Sequence, residues 1–131
     1  PAFGIDRIIW HLIDHAYEEA GEGDEVYVRL RLHRDVAPVD AAVLPLFEKD
    51  GMGDRAREVH RRLCSLRGVQ AIYDGSGSIG RRYARADEIG TPCCITIDHQ
   101  TLQDGTVTWR ERDTCDQERL NIEDVEARLR A

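Results

Sequence analysis

Lysine is almost missing from this sequence: Lys49 is the only one among 18 basic residues, and all the others are arginines. Cationic contacts are therefore planar and bidentate rather than flexible point charges. Long apolar runs are also missing. Nothing approaches the roughly 18 consecutive apolar residues that cross a bilayer, and no charged-then-apolar N-terminal segment resembles a signal peptide. Cys64, Cys93, Cys94 and Cys115 never form Cys-x-x-Cys, so no structural zinc spacing is present and no metal is expected. His11 and His15 share a helix face at i, i+4 but lack a third ligand. There is no Gly-x-Ser-x-Gly elbow, no cysteine with a convincing histidine and no isolated carboxylate pair, so nucleophilic catalysis has no foothold. These absences lead to the expectation of a cytoplasmic protein without membrane contact.

What is present is charge and ordinary hydrophobicity. With 41% hydrophobic and 33% charged residues in 131, the chain fits one globular domain plus a short extra piece. A net charge of −7 disfavours long-range attraction to phosphates, so any nucleic-acid contact must come from local arginine clusters. A start at Pro1 rather than methionine suits a piece of a longer protein.

Periodicity supplies the elements. Ile5, Ile8, Ile9, Leu12, Ile13 and Ala16 predict an amphipathic helix from residue 4 to about 20, stopped by Gly21-Glu22-Gly23. Alternation over Val26 to Leu32 predicts a strand, and His33 to Pro38 a linker. Beyond it come a buried strand (Ala41 to Phe47), a helix (Asp54 to Arg67), a strand (Val69 to Tyr73), a helix bearing Ile79, Tyr83, Ala86 and Ile89, and a third buried strand (Cys93 to Ile97). Gln103-Asp104-Gly105 reads as a hairpin turn into a reversed strand, Thr106 to Arg112. Arg119 to Ile122 suits a fifth strand, and Val125 with Leu129 marks a closing helix. The order βαβαβ, hairpin, strand, helix predicts a three-layer α/β/α fold on a five-stranded mixed sheet, preceded by a helix and a strand.

Gly75-Ser76-Gly77-Ser78-Ile79-Gly80 matches G-x-G-x-x-G between a strand and a helix, with Asp98 at the end of the next strand. The loop follows the second strand of its unit, and too little chain remains for both halves of a dinucleotide domain. It serves equally as a phosphate-binding loop for RNA or as a plain turn. Arg81, Arg82 and Arg85 lie away from the apolar face of the following helix, and Arg110 and Arg112 share one side of the reversed strand. Two arginine groups on rigid elements suit phosphate and base-edge recognition, or a solvated face paired with Asp87, Glu88, Glu111 and Asp113.

The block from Asp74 through Gly75-Ser76-Gly77-Ser78-Ile79-Gly80-Arg81-Arg82-Tyr83-Ala84-Arg85-Ala86-Asp87-Glu88-Ile89-Gly90-Thr91 to Pro92 closely resembles the C-terminal anticodon-binding domain of dimeric class II glycyl-tRNA synthetases. Ala37-Pro38 through Val43-Leu44-Pro45-Leu46 agrees, as does Thr106-Val107-Thr108-Trp109-Arg110-Glu111-Arg112-Asp113-Thr114 followed by Gln117. Pro1-Ala2-Phe3-Gly4-Ile5-Asp6-Arg7 looks like the end of motif 3 in the class II catalytic domain. The resemblance implies that residues 1–36 are a catalytic-domain tail and linker, that residues 37–131 read tRNA, and that Arg7 is the motif 3 arginine that contacts ATP. It further implies a full-length enzyme that ligates glycine to tRNA(Gly) with ATP, dimerises through its catalytic domain and works in the cytoplasm. This piece alone would bind tRNA without catalysing.

Glycine anticodons end in two cytosines, whose N4 amino group donates and whose O2 and N3 accept, so a reader needs carboxylates beside arginines. Glu111 or Asp113 is expected to accept from N4, with Arg110 and Arg112 on base edges or phosphates. Arg81, Arg82 and Arg85 are expected on the anticodon-stem backbone, with Tyr83 available for stacking. Alternation puts Glu111 on the Trp109 side of its strand and Arg110 and Arg112 on the other. Two other readings stay open: a noncatalytic accessory subunit of the same fold, and a small nucleotide-binding α/β protein that uses Gly75 to Gly80.

Overall fold

Chain reversal by glycine shapes the first part of the computed structural model, which describes residues 1–131. The first helix, α1 (Ile5–Ala16), stops four residues earlier than its expected end, and the chain turns into β1 (Tyr17–Ala20). β1 pairs antiparallel with β2 (Tyr27–Leu30), Tyr17 opposite Leu30 and Ala20 opposite Tyr27. The expectation of helix to residue 20 was wrong because the apolar spacing ends at Ala16, and Tyr17 to Ala20 gain a cross-strand ladder. Gly21 makes the return possible: its φ is +93°, and a Cβ there would lie 2.3 Å from the Glu25 carbonyl. The apolar stripe of α1 faces solvent, with Ile8 and Ile9 half exposed and only Ala16 buried.

The remaining elements are β3 (Ala41–Pro45), α2 (Met52–Cys64), β4 (Ala71–Tyr73), α3 (Ile79–Glu88), β5 (Cys93–Ile97), α4 (His99–Asp104), β6 (Val107–Glu111), β7 (Gln117–Leu120) and α5 (Ile122–Arg130). Strands β3 to β7 form one sheet in the order β4-β3-β5-β6-β7. β4 and β5 run parallel to β3, and β6 is antiparallel to both its neighbours, which makes it the one reversed strand. This is the expected three-layer fold with a five-stranded mixed sheet. Every residue of β3 and β5 is buried, as required of strands covered on both faces.

One detail differs. Gln103-Asp104-Gly105 is not a hairpin turn but the end of α4, with Gly105 as its left-handed C-cap (φ +76°). Asp98 and Thr101 close a reciprocal capping box at its start, which satisfies enough orphan amides for a six-residue helix to form.

Side-chain parity sorts the sheet into two unlike faces. Val43, Ile95, Trp109, Ile97 and Val107 meet Ala56, Val59 and Leu63 of α2 and Ile122, Val125 and Leu129 of α5 in a core of 16 buried residues. On the other face α3 covers only Ala42, Leu44 and Cys94, with Ala86 as its own buried contribution.

Candidate functional site

The second face of the sheet is where the arginines collect. Register places Leu44, Thr96, Thr108 and Arg119 in one row across β3, β5, β6 and β7, and Ala42, Cys94, Arg110 and Gln117 in the next. Apolar contact with α3 is therefore replaced, strand by strand, with polar side chains toward β7.

Three of the arginines expected to touch RNA are turned inward. Arg82 is 4% exposed, and its Nε donates to the Ser76 carbonyl at 3.2 Å. Its Nη2 donates to the carbonyls of Gly75 (2.6 Å) and Gly77 (2.7 Å), and its Nη1 to that of Pro45. Four of its five N–H groups are thus committed, three to carbonyls of the Gly/Ser loop and one to the end of β3. Arg112 is similarly committed, through the carbonyls of Gly90 (2.8 Å) and Leu32 (2.9 Å) and the carboxylate of Asp113. Arg110 forms a buried, two-pronged pair with Asp87 at 3.1 and 3.2 Å and lies 4.6 Å over the Tyr83 ring. Burial opposes its charge, but the Asp87 carboxylate outweighs that and raises its pKa. These three guanidiniums are buried and bonded inside the protein, Arg82 and Arg112 through four of their five N–H groups and Arg110 through three.

The other candidates are accessible. Arg81 is exposed, and its guanidinium makes no ion pair. Arg85 pairs with Asp74 at 2.7 Å and keeps 44% of its side chain exposed. Glu111 is exposed and accepts from Trp109 Nε1 at 2.6 Å, on the α5 side, as alternation requires. Asp113 stands between Arg112 (2.8 Å) and Arg31 (3.5 Å), and both pairs hold its pKa below the usual carboxylate range. Tyr83 is half-buried, one ring face under Arg110 and its hydroxyl 2.6 Å from Thr96 Oγ1, so stacking there is restricted. Glu111 and Asp113 border a cleft of about 670 Å³ whose other wall is His15, Glu18, Arg31, His33 and Arg34.

The β1–β2 hairpin is clamped to this face. Tyr27 Oη donates to Asp87 at 3.2 Å, Arg29 donates to the Arg112 carbonyl at 2.9 Å while pairing with Glu18, and Arg112 reaches back to Leu32. Within the stretch read as a linker, Arg34 Nη2 donates to the Arg128 carbonyl at 3.0 Å.

Sequence reasoning missed Arg119 and gave Asp98 a different meaning. Arg119 pairs with both oxygens of Asp98, at 2.7 and 3.0 Å, and donates to Thr108 Oγ1 at 2.9 Å. Burial pushes the Asp98 pKa up, but Arg119 and the Thr101 amide outweigh it and leave the carboxylate below its usual range. The available signal was parity: Thr96, Thr108 and Arg119 fall on the Arg110 side of the sheet once register is known. No group of three or more His, Cys, Asp or Glu could hold a metal ion. Arg7 is exposed on α1 with no partner.

Residues 40–131 match the family model described as "Anticodon binding domain". The chain is 50% identical over 125 residues to the glycine–tRNA ligase of Methanothrix thermoacetophila, covering 94% of this chain and 21% of that protein. To the Aeropyrum pernix glycine–tRNA ligase it is 51% identical over 131 residues, covering 99% of this chain and 22% of the relative. The chain thus spans about a fifth of these relatives. In structure it is similar to the RNA binding domain of threonyl-tRNA synthetase from Cryptosporidium parvum, with a TM-score of 0.65 and 27% identity over 71% of this chain and 23% of the other.

Proposed function

Because the chain belongs to the anticodon binding domain family, we propose that it holds the anticodon arm of tRNA(Gly) as the C-terminal part of a glycine–tRNA ligase. The observation that carries this reading is the match of nearly the whole chain, at about half identity, to enzymes of that one specificity. Residues 1–36 would be the tail of the catalytic domain, and the rest of that domain would be the partner that covers the apolar stripe of α1. Arg7 would then join an ATP site whose other parts lie elsewhere in the enzyme, which would act in the cytoplasm as a dimer. ATP is the whole enzyme's substrate for activating glycine. Residues 1–131 supply tRNA contacts.

Arg81 and Arg85 suit the anticodon-stem phosphates, since both guanidiniums are exposed at the start and last turn of α3. Glu111 and Asp113 suit acceptance from cytosine N4, and Arg82, Arg110 and Arg112 serve by fixing the loop and strand beneath them. Neither the Gly/Ser loop, closed by Arg82, nor Asp98, paired with Arg119, supports the dinucleotide alternative.

The test is binding of the 131-residue chain to a glycine anticodon stem-loop and to a version with both cytosines replaced, across salt concentrations. A preference for the cytosines that survives added salt is expected. Equal and steeply salt-sensitive binding, or none, would overturn the reading in favour of a noncatalytic relative of the same fold.

A further inference from the structure

We infer that Arg119 is a cytosine-selective reader, a role that rests on the anticodon reading above. Its guanidinium has five N–H donors, of which three are used: Nη1 to Asp98 Oδ2 (3.0 Å) and to Thr108 Oγ1 (2.9 Å), and Nη2 to Asp98 Oδ1 (2.7 Å). The two left over are Nε–H and the second Nη2–H, which lie side by side on one edge of the plane.

That edge is reachable. Arg119 keeps 26% of its side chain exposed. Nε makes no hydrogen bond and is not among the buried side-chain polar atoms without a partner, which are Tyr73 Oη and Thr91 Oγ1. The edge is also held still. Asp98 grips the adjoining Nη1–Nη2 edge while capping α4 through Thr101, and Thr108 is the cross-strand neighbour on β6, so the fork is aimed before any ligand arrives.

Two parallel donors match two adjacent acceptors. An unpaired cytosine offers N3 and O2 side by side on its Watson–Crick edge, whereas the same edge of uracil carries a proton on N3 that would face an N–H of the fork. Arg119 therefore accepts one anticodon cytosine and repels uracil at the same position. Asp98 is a positioning residue, because its oxygens occupy the adjoining Nη1–Nη2 edge and leave the Nε–Nη2 fork free.

The experiment uses the 131-residue chain and anticodon stem-loops that carry cytidine, uridine or 3-deazacytidine at each of the two cytosine positions. Wild type is expected to lose about tenfold or more in affinity at one position when N3 is removed or protonated. Arg119→Lys, which keeps the charge but not the fork, is expected to bind all three RNAs alike, so that the two losses do not add. Asp98→Asn should reduce the preference by less.

A wild type that prefers cytidine over uridine but tolerates 3-deazacytidine at both positions would overturn the inference and leave the anticodon reading standing. So would an Arg119→Lys variant that still discriminates. A wild type indifferent to every cytosine would remove the anticodon reading, and this inference with it. The 3-deazacytidine arm needs no protein variant, so it decides the matter even if Arg119→Lys fails to fold.

Discussion

The two faces of the five-stranded sheet are built from the same strands and obey different rules. Toward α2 and α5, alternate residues meet in a dry core of 16 buried side chains. Toward α3 the buried apolar cluster has four residues, and the space beyond it is filled by Arg82, Arg110 and Arg112, each under 7% exposed. The first face is stabilised by area removed from water and tolerates volume-conserving hydrophobic exchange. The second depends on guanidiniums that satisfy named carbonyls and carboxylates, so it is specified atom by atom. A surface for reading RNA gains from that second kind of order, because its donors cannot relax when a wrong base arrives.

The sharpest way to break this contrast is to remove one charge from the second face. Asp87 is fully buried, and Asp87→Ala leaves the Arg110 guanidinium without its counter-ion, a change expected to cost about 3–5 kcal/mol. Leu63→Ala on the dry face is expected to cost about 2–5 kcal/mol through a cavity. Urea unfolding separates the mechanisms: Asp87→Leu combined with Arg110→Met should recover most of the first loss, since a hydrophobic pair of similar volume can replace a buried ion pair. Failure to recover would mean the face depends on the charges themselves.

The dry face was legible in the sequence, and the arginine face only partly so. Periodicity located β3, α2, α3 and β5 because each buries residues at regular spacing. The parity of Arg110 and Glu111 followed from alternation alone. What spacing could not show is where a long side chain ends: Arg82 and Arg85 look alike on one helix, yet one turns under the Gly/Ser loop and the other stays half in solvent. Arg119 was invisible for a related reason. Its partners, Asp98 and Thr108, lie 21 and 11 residues away and meet it only through the register of β6 with β7 and the cap of α4. The early end of α1 escaped because Tyr17 to Ala20 suit a helix locally and take a strand only through β2.

A smaller effect is expected where the hairpin meets the arginine face. Arg112→Met would leave the Gly90 and Leu32 carbonyls without their donor, at about 1–3 kcal/mol. The loss should concentrate in the hairpin. Hydrogen exchange is expected to quicken at Tyr27–Leu30 while β5 stays protected. Uniform acceleration would show instead that the hairpin and the sheet open as one unit.

The smallest expected effect sits at the Arg119 end of the face, and pH reveals it. Asp98 has a folded pKa below its ordinary value of 3.8, because Arg119 and the Thr101 amide outweigh burial. A carboxylate depressed in this way contributes stability that is fully present above the ordinary value and is lost as pH falls through the lowered one. The stabilisation by Arg119 should therefore fade below about pH 4 and be constant at neutral pH. Asp98→Asn retains an acceptor for the α4 cap and removes the charge, so it should cost about 1 kcal/mol at pH 7 and flatten the acid limb of the stability curve. Thermal unfolding from pH 7 to pH 2.5 measures this directly. Parallel curves for the two proteins would mean that the Asp98 charge adds no pH-dependent stability to the fold.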